Sequence, residues 1–394
     1  MAALAGAGCS GGSDDGSDGS GGSGDATEGQ RLRFPDEDAI AEGDDGGGCG
    51  DAARTAPDDM AANRTVARCA AGSPAAVPLP GPPTTLRVGI RGATEDLAPL
   101  LLADRLGELE AENLAVELVT YEDAGSLFAA LDAGEVDAVA GDLDAPFFDL
   151  VSEHDQAGTA GPRLIMGGAI AARPNDLSTP QPGFWVRPGM LEEPDKWADL
   201  EDQRVAVEDS IGDVVAQPIT ALLRQDDISL NEVRLSVVGG QEAAEGLASG
   251  DLAAAWLSEP YWREVADSDQ VALVATLPAA ESLGGIVAGP SLVAENRRPV
   301  AVAFSRAVIR TINTYLADDY QDDGEVMDAL ADATGQSVDE LRDTPPWVFD
   351  WELRSDTTTR LQTPLISYGA VLYESELAES KIVDRSIYED ALGL

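Results

Sequence analysis

The side chains with the most obvious chemistry in this sequence stand in short polar loops that follow predicted strands. The loops carry hydroxyl groups, a guanidinium and several carboxylates, and most of them precede a predicted helix. Backbone N–H groups at a helix start, together with hydroxyls, can hold an anionic or polar oxygen group. The candidate ligand-binding residues are Arg91, Thr94, Ser126, Asp142, Asp144, Ser210, Gly212, Trp256 and Glu259.

Two opposite kinds of ligand are compatible with this set. Arg91 could pair with an oxyanion, or lie exposed after an edge strand. The three acids of the set favour a ligand with cationic or N–H donor groups, although acids are frequent throughout the chain. Ser126 and Ser210 could simply cap their helices. Trp256 could pack in a core instead of stacking on a ligand.

Catalytic chemistry has few possible participants. The chain has one histidine, His154, two lysines, Lys196 and Lys381, and no cysteine after residue 69. His154 follows a predicted helix in a run of polar residues, so we expect a solvated imidazole. General acid–base or nucleophilic catalysis needs several reactive side chains placed together, and one histidine and two lysines far apart in the sequence do not suggest such a group. We expect no catalytic residue, no cofactor and no metal site, although a pair of carboxylates could still act.

Strands and helices alternate after residue 85. The first series consists of a strand Leu86–Ile90, a helix Leu97–Leu109, a strand Leu114–Val119, a helix Ala124–Leu131 and a strand Val136–Ala140. Such alternation is typical of a mainly parallel sheet covered by helices. In open α/β sheets, ligands bind beyond the carboxyl ends of the strands. The polar loops stand at those ends.

A second series repeats the first. Arg163–Met166 and Ala169–Ala172 are predicted to cross between two lobes. The second lobe then has strands at Arg204–Val207, Val233–Val238 and Leu252–Trp256, and helices at Val214–Arg224 and Glu242–Ala248. In both series a helix is followed by glycine, Gly134 or Gly250, and then by a short apolar strand, which predicts a helix-ending turn.

The chain is predicted to return to the first lobe after about residue 275. Leu283–Ala288 is a second crossing strand, and Arg298–Leu316 is a long amphipathic helix. The aromatic run Thr344–Trp351 interrupts the helical remainder. It could shape the mouth of a cleft or pack the C-terminal helices onto the first lobe. Two crossings imply a hinge.

The charge balance excludes several partners. The 394 residues include 72 acidic and 25 basic side chains, a net charge of −47. Such a surface repels nucleic-acid phosphates and anionic membranes. Acid-rich, lysine-poor surfaces suit proteins that stay hydrated at high salt, so we expect a halophilic or marine source; the alternative is an ordinary, unusually acidic secreted protein.

The N-terminus is similar to the end of a lipoprotein signal peptide. Small residues precede Cys9, whose sulfur would carry the lipid, but a basic segment is missing and the apolar stretch is short, which a start site further upstream would explain. The alternative is an unprocessed N-terminus with an incidental cysteine. Residues 10–84 are rich in Gly, Ser, Pro and acids and are predicted to be a disordered tether. Cys49 and Cys69 within it could form a disulfide or stay free.

Motifs over residues 85–320 resemble those of substrate-binding proteins of ABC transporters, of the type that binds nitrate, sulfonates, taurine and thiamine-pyrimidine precursors. They occur in the family's order: Leu86-Arg-Val-Gly-Ile90, Ala98-Pro-Leu-Leu-Leu-Ala103, Gly107-Glu-Leu-Glu110, Val116-Glu-Leu-Val119, Leu127-Phe-Ala-Ala-Leu-Asp-Ala-Gly-Glu-Val-Asp-Ala138, Leu200-Glu-Asp-Gln-Arg-Val-Ala-Val207, Leu247-Ala-Ser-Gly-Asp-Leu-Ala-Ala-Ala-Trp256 and Glu259-Pro260.

The resemblance implies a two-lobed α/β clamp of the periplasmic-binding-protein type, each lobe a mainly parallel sheet flanked by helices, with two crossover hinge strands. The expected divisions are 1–9 (signal-peptide remnant), 10–84 (tether), 85–165 (lobe one), 166–275 (lobe two) and 276–394 (return to lobe one with C-terminal helices).

The implied function is delivery of a small polar ligand to an ABC permease and ATPase. The ligand would be a nitrate-, sulfonate- or taurine-like anion or a pyrimidine-like heterocycle. The protein is expected to be a monomer outside the cytoplasm, held at the periplasmic or cell-surface side of the membrane by its lipid alone. Two alternatives stay open: a pyrimidine-precursor-forming or dehydratase-type enzyme of this fold, and a ligand-sensing lipoprotein.

Overall fold

The computed structural model describes residues 73–171, 177–191, 196–208, 219, 222–276, 284–316, 320–344, 346–353 and 357–393. Five residues singled out above lie outside these ranges: Cys9, Cys49, Cys69, Ser210 and Gly212. Most of the predicted helix Val214–Arg224 lies outside them as well.

The strands of the described residues are β1 (Thr84–Ile90), β2 (Leu114–Thr120), β3 (Ala138–Asp142), β4 (Arg163–Gly167), β5 (Ala169–Ala171), β6 (Gly183–Val186), β7 (Arg204–Glu208), β8 (Arg234–Val238), β9 (Ala254–Leu257), β10 (Ala272–Thr276), β11 (Gly284–Ala288) and β12 (Trp347–Phe349).

The α-helices of the same residues are α1 (Ala98–Arg105), α2 (Glu108–Ala111), α3 (Ala124–Asp132), α4 (Ala145–Ala157), α5 (Gly240–Ser249), α6 (Arg263–Ala266), α7 (Pro290–Val293), α8 (Arg298–Tyr315), α9 (Gly324–Thr334), α10 (Val338–Arg342), α11 (Thr357–Tyr368), α12 (Glu379–Ile382) and α13 (Ser386–Leu392).

The first five-stranded sheet, in the order β2-β1-β3-β11-β4, forms the part of the molecule that we call lobe one. β1 pairs in parallel with both β2 and β3, whereas β11 pairs antiparallel with β3 and β4. Leu86, Val88 and Ile90 alternate along β1 and are buried, as a strand with one face on a core requires. The helix α1 packs against both α8 and α9.

The second five-stranded sheet, in the order β10-β6-β9-β7-β8, forms lobe two. β7 pairs in parallel with β8 and β9, whereas β6 pairs antiparallel with β9 and β10. The predicted fold class, two lobes that are each a sheet flanked by helices, is confirmed. The prediction of mainly parallel sheets is wrong, because both sheets are mixed: antiparallel β11 lies within the first sheet, and the unpredicted antiparallel strands β6 and β10 lie in the second.

The repeated glycine turn is present in both lobes. Gly134 and Gly250 have φ angles of +70° and +90°, in the left-handed region that glycine adopts without steric cost. Gly250 ends α5 directly, and Gly134 lies just after α3. A third glycine corrects the sequence analysis: Gly107, with φ +81°, divides the predicted helix Leu97–Leu109 into α1 and α2.

The aromatic run before residue 351 packs against lobe one. β12 pairs antiparallel with β5, and Phe349 and Trp351 are buried. The Phe349 ring lies 5.8 Å from that of Tyr320, and the Trp351 ring lies 5.5 Å from that of Tyr388. The packing alternative stated for this run therefore holds.

A buried cluster of ion pairs joins α2 to α8. The Glu112 side chain is 0% exposed and accepts hydrogen bonds from Arg306 Nε and Nη2 at 3.0 and 2.7 Å and from Arg310 Nη1 at 2.8 Å. Arg310 also pairs with Glu108. Two guanidinium groups thus surround one carboxylate that water does not reach.

The chain before β1 docks on this cluster. Val77 N–H donates to Glu112 Oε2 at 3.2 Å, Arg306 Nη2 donates to the Val77 carbonyl at 3.0 Å, and Arg310 Nη1 donates to the Pro74 carbonyl at 3.1 Å. Pro74 and Val77, which the sequence analysis placed in the tether, therefore lie against lobe one. No helix among the described residues is long and apolar enough to span a membrane.

Candidate functional site

Three loops meet at the carboxyl end of the lobe-one sheet. Arg91 follows β1, Asp123 follows β2 and Asp144 follows β3. Since β2, β1 and β3 are adjacent and parallel, their carboxyl ends lie at one edge. The contact is electrostatic as well: Arg91 lowers the pKa of Asp144, and Asp123 raises it. The loops predicted to bind ligand in lobe one are thus brought together.

Asp144 is the most buried acid of this edge. It precedes α4 at the N-cap position, is 2% exposed, and makes no side-chain capping hydrogen bond. Its Oδ1 atom has no hydrogen-bond partner among the described residues. Burial raises the pKa of the Asp144 carboxyl to about 7, against the opposing effect of Arg91. This carboxyl can therefore exchange a proton near neutral pH.

Two more acids follow Arg91 directly. Burial raises the pKa of Asp96, while a hydrogen bond from the Thr94 hydroxyl and the charge of Arg91 lower it. Glu95 is 3% exposed, and its carboxylate accepts a hydrogen bond from the Tyr320 hydroxyl at 2.7 Å. Burial raises the pKa of Glu95 also. The loop after β1 thus carries both an anchored acid and one beside Arg91.

The hydrogen bonds of Glu95 anchor the C-terminal chain beside the cleft. Gln321 Nε2 donates to Glu95 Oε1 at 3.3 Å, and Thr344 Oγ1 donates to Glu95 Oε2 at 3.2 Å. The Tyr320 hydroxyl accepts a hydrogen bond from the Trp347 N–H at 3.0 Å. Glu95 therefore holds the loop after β1 against residues that return to lobe one.

Glu259 faces these acids from lobe two. It follows β9, and its negative charge raises the pKa of both Glu95 and Asp96. Glu259 Oε2 accepts from Trp262 Nε1 at 2.6 Å, and Oε1 accepts from Arg263 Nε at 2.8 Å. Gln336 Nε2 in lobe one also donates to Oε1, at 2.8 Å. The lobes therefore meet at Glu259, across the edge formed by β1, β2 and β3.

The remaining predicted site residues have simpler roles in the structure. Ser126 is exposed in the first turn of α3; its N–H donates to Asp123 Oδ1 at 2.7 Å, and its hydroxyl donates to the Asp123 carbonyl at 2.9 Å. The cap of α3 is thus Asp123. Trp256 is 3% exposed and lies opposite Phe184 in the lobe-two sheet, so it packs in the core. Asp142 is exposed and is the last residue of β3, not part of a loop.

Sequence reasoning missed several contributors. Asp123 directly precedes the quoted Ala124-Gly-Ser126, and an aspartate before a helix is a cap signal that could have been used. Gln336 gave no signal, because its bond to Glu259 joins residues 77 apart in the chain. Glu95 and Asp96 were indistinguishable from the many other acids of the sequence.

The histidine and the lysines of the described residues lie in other contacts. His154 is part of α4. The prediction that water solvates its imidazole is wrong, because both ring nitrogens bond to protein groups: Nδ1 to Thr159 Oγ1 at 2.8 Å and Nε2 to Asp132 Oδ1 at 2.8 Å. Lys196 pairs with Asp199 and Lys381 with Asp155. No group of three or more potential metal ligands is found among the residues that the structure describes.

The polar chemistry of the described cleft is therefore strongly acidic. Five carboxyls, those of Glu95, Asp96, Asp123, Asp144 and Glu259, interact electrostatically with one another or with Arg91. Arg91 is the guanidinium that acts on Asp96 and Asp144, while Arg263 is bonded to Glu259. Such an edge can orient a ligand through a cation, through acceptor oxygens and through helix starts.

No protein-family profile and no curated protein matches the sequence. Several solved structures do match its fold. The periplasmic nitrate-binding protein NrtA of Synechocystis PCC 6803 has a TM-score of 0.61 and 13% identity, over 79% of this chain and 88% of that one. The ligand-binding component of an ABC-type import system from Staphylococcus aureus, with zinc bound, has a TM-score of 0.60 and 14% identity, over 78% and 99%.

Two further likenesses bear on the choice between binder and enzyme. The aliphatic sulphonate binding protein SsuA of Escherichia coli has a TM-score of 0.53 and 17% identity, over 78% of this chain and 99% of that one. The desulfurization enzyme DszB shares the fold, with a TM-score of 0.51 and 16% identity, over 78% and 99%. At these identities the likeness shows the fold, which is that of the two-lobed periplasmic binding proteins.

Proposed function

We propose that this two-lobed chain is a solute-binding protein that captures a small polar ligand between its lobes and delivers it to an ABC importer. The observation that carries the proposal is the meeting of Arg91, Asp123 and Asp144 at one sheet edge, opposite Glu259. A ligand-binding component of an ABC-type import system and two periplasmic binding proteins are among the solved structures that share this fold.

Capture proceeds by closure of lobe two onto the edge of lobe one. The Gln336–Glu259 hydrogen bond joins the lobes at the cleft in this structure, so a direct contact between the lobes favours the closed form. A ligand held by both lobes favours the closed state by the difference between its affinities for the two states. The permease would then recognise the closed, loaded form.

The ligand is an anion of the nitrate, sulfonate or taurine kind, or a pyrimidine-like heterocycle. Arg91 and the helix starts support the former, and the carboxyls support the latter. Within this proposal Cys9 carries a lipid anchor, residues 10–72 act as a tether, and the monomer works outside the cytoplasm, on the periplasmic or cell-surface side. Permease and ATPase subunits are its partners.

An enzyme is the competing function, and the fold of DszB supports it. Burial raises the pKa of Asp144 to about 7, which suits a general acid or base near neutral pH. Against this, the residues described at the cleft include no histidine, lysine or cysteine that would serve as a nucleophile or partner base. A sensory lipoprotein would use the same cleft with a different partner.

The test is a thermal-shift screen in high salt with nitrate, bicarbonate, alkanesulfonates, taurine, pyrimidines and riboflavin, followed by product analysis of each compound that binds. Binding without turnover supports the proposal, and formation of a product overturns it. Arg91→Ala and Ser210→Ala should weaken binding by about tenfold or more. Arg87→Ala is the matched control, since Arg87 lies on β1 and pairs with exposed Glu117. Equal affinity of Arg91→Ala and Arg87→Ala would refute the placement of the site.

A further inference from the structure

We propose that the ligand carries an amino or other N–H donor group, and that Asp144 Oδ1 is the atom that accepts its hydrogen bond. The inference rests on the proposed binding function and narrows it to one of the two ligand classes. In this proposal Asp144 recognises the nitrogen of the ligand, and Arg91 is the charged neighbour of the Asp144 carboxyl.

The first support is the position of Asp144. Its carboxyl lies where the loops after β1, β2 and β3 meet, within electrostatic reach of Arg91 and Asp123. That edge faces Glu259 of lobe two. The side chain therefore lies at the edge of the lobe-one sheet that meets lobe two, within electrostatic reach of residues from the two neighbouring loops.

The second support is the unused hydrogen-bonding capacity of Asp144. The residue is 2% exposed, so water reaches it little, and Oδ1 has no partner among the described groups. It also makes no side-chain bond to the start of α4, where an aspartate ordinarily caps. A buried acceptor without a partner destabilises the protein, and a ligand N–H placed against Oδ1 would remove that destabilisation.

The third support is the balance of charge around the cleft. The carboxyls of Glu95, Asp96, Asp123, Asp144 and Glu259 interact there, and the charge of Arg91 already acts on two of them. An oxyanion placed among these groups meets repulsion from each carboxyl that is ionised and from the acceptor oxygens of the others, whereas an N–H donor or cation meets attraction. The arrangement therefore disfavours anionic ligands as well as favouring ligands with an N–H donor group.

The alternative is that Asp144 is a neutral structural acid that never meets ligand. Both readings place a buried carboxyl before α4, so stability measurements alone do not separate them. They differ in one respect: only a recognition role makes the preference for a nitrogen donor depend on Asp144.

The experiment measures affinity by isothermal titration of the full chain with two matched pairs of compounds. 4-Aminopyrimidine differs from pyrimidine, and taurine from ethanesulfonate, chiefly by an amino group. In at least one pair the amino compound should bind tighter than its partner by about tenfold. This comparison uses the unchanged protein, so it stands whether or not a variant folds.

The variant Asp144→Asn then tests the atom. The amide keeps the shape but replaces one acceptor by a donor, so the tenfold preference should fall to about onefold to threefold. Glu117→Gln, an exposed acid on β2, is the matched control and should leave the preference unchanged. Circular dichroism and the melting temperature establish that both variants fold.

The outcomes separate this inference from the function beneath it. Tighter binding of ethanesulfonate or nitrate than of any amino compound overturns the inference and leaves the binding function standing. An unchanged preference in folded Asp144→Asn overturns the assigned atom, and so does the absence of binding by every compound of the two pairs. Conversion of a bound compound to product overturns the proposed function itself.

Discussion

Lobe one and lobe two share a turn, in which a helix ends, a left-handed glycine redirects the chain and a buried strand begins. Beyond the strand they differ. In lobe one β3 leads to Asp144, which is buried and has an oxygen without a hydrogen-bond partner. In lobe two β9 leads to Glu259, whose two oxygens are held by Trp262 and Arg263 of its own lobe.

The interiors differ in the same sense. Lobe one buries Glu112 between two arginines and Glu95 against Tyr320. Among the described residues of lobe two, the buried polar side chains are those of Gln181 and Thr276, which carry no charge. Lobe one therefore combines the unpartnered Asp144 carboxyl with buried acids whose hydrogen bonds are fixed. Lobe two contributes Glu259, whose carboxylate is already hydrogen-bonded, and closes over the edge of lobe one.

The largest expected effect is at the buried cluster of lobe one. Glu112→Ala leaves two guanidiniums of the interior without their carboxylate and should lower the free energy of unfolding by about 3–5 kcal/mol. Urea denaturation measures it. Asp332→Ala is the control, because the Arg105–Asp332 pair is exposed and should contribute about 0–1 kcal/mol. A loss below 1 kcal/mol in Glu112→Ala would contradict the idea of a rigid lobe one.

The next effect concerns the pH dependence of stability. The pKa of Asp144 is raised to about 7 in the folded protein, so folding favours its protonated form. Its contribution is therefore complete below pH 4 and is lost as the pH rises to 7, at about 1.4 kcal/mol for each pKa unit. Arg91 and Asp123 face the carboxyl and set the remaining balance. Unfolding of Asp144→Asn and wild type at pH 5 and pH 8 measures it.

In that measurement Asp144→Asn should gain stability relative to wild type as the pH rises. Glu117→Gln, which changes an exposed acid, should follow the wild-type curve. If stability changed with pH in the same way in all three proteins, Asp144 would not titrate in this range. The contrast between Asp144 of lobe one and Glu259 of lobe two would then be contradicted.

A smaller effect tests what the lobes share. Gly134→Ala and Gly250→Ala should each cost about 1–2 kcal/mol, because a Cβ is strained at positive φ. No crowding adds to this at Gly134, and Gly250 meets only the Arg187 guanidinium at 3.5 Å. Gly324→Ala, in the first turn of α9 and without positive φ, is the control and should be neutral or stabilising. Unequal costs in the two lobes would show that the repeated turn is not equivalent.

The smallest effect is on lobe closure. Gln336→Ala removes the hydrogen bond to Glu259 and should shift the open–closed balance by about 1 kcal/mol toward the open form. Small-angle X-ray scattering without ligand would record a larger radius of gyration. Gln241→Ala, whose bond to Glu245 stays within lobe two, should leave the scattering unchanged. A compact Gln336→Ala protein would remove this bond from the closure mechanism.

The parts of the fold that the sequence predicts are those governed by local patterns. The alternation in β1, the apolar spacing of α8 and the glycines at 134 and 250 each act within a few residues of chain. β6 and β10 were missed because they are only four and five residues long, and their places in the sheet depend on the pairing of β10 with β6 and of β6 with β9.

The location of the site could be predicted from the sequence, but several of the residues that form it could not. Loops after parallel strands must share an edge, so Arg91 and Asp144 could be brought together from topology alone. Glu112, Glu95 and Gln336 depend on contacts across 77 to 249 residues, for which an acid-rich sequence carries no local mark. The cap at Asp123 was within reach, since its signal lies directly before the helix.

The docking of residues 73–83 has a mechanical consequence. This segment lies on the Glu112 cluster and enters β1 at Thr84, whereas the cleft lies beyond Ile90 at the other end of the strand. The seven residues of β1 span about 23 Å. A force applied through the amino-terminal chain is therefore borne by the ion pairs and the β1–β2 ladder, on the side of lobe one that faces away from the ligand. We expect such a force to leave the two lobes in contact at the cleft.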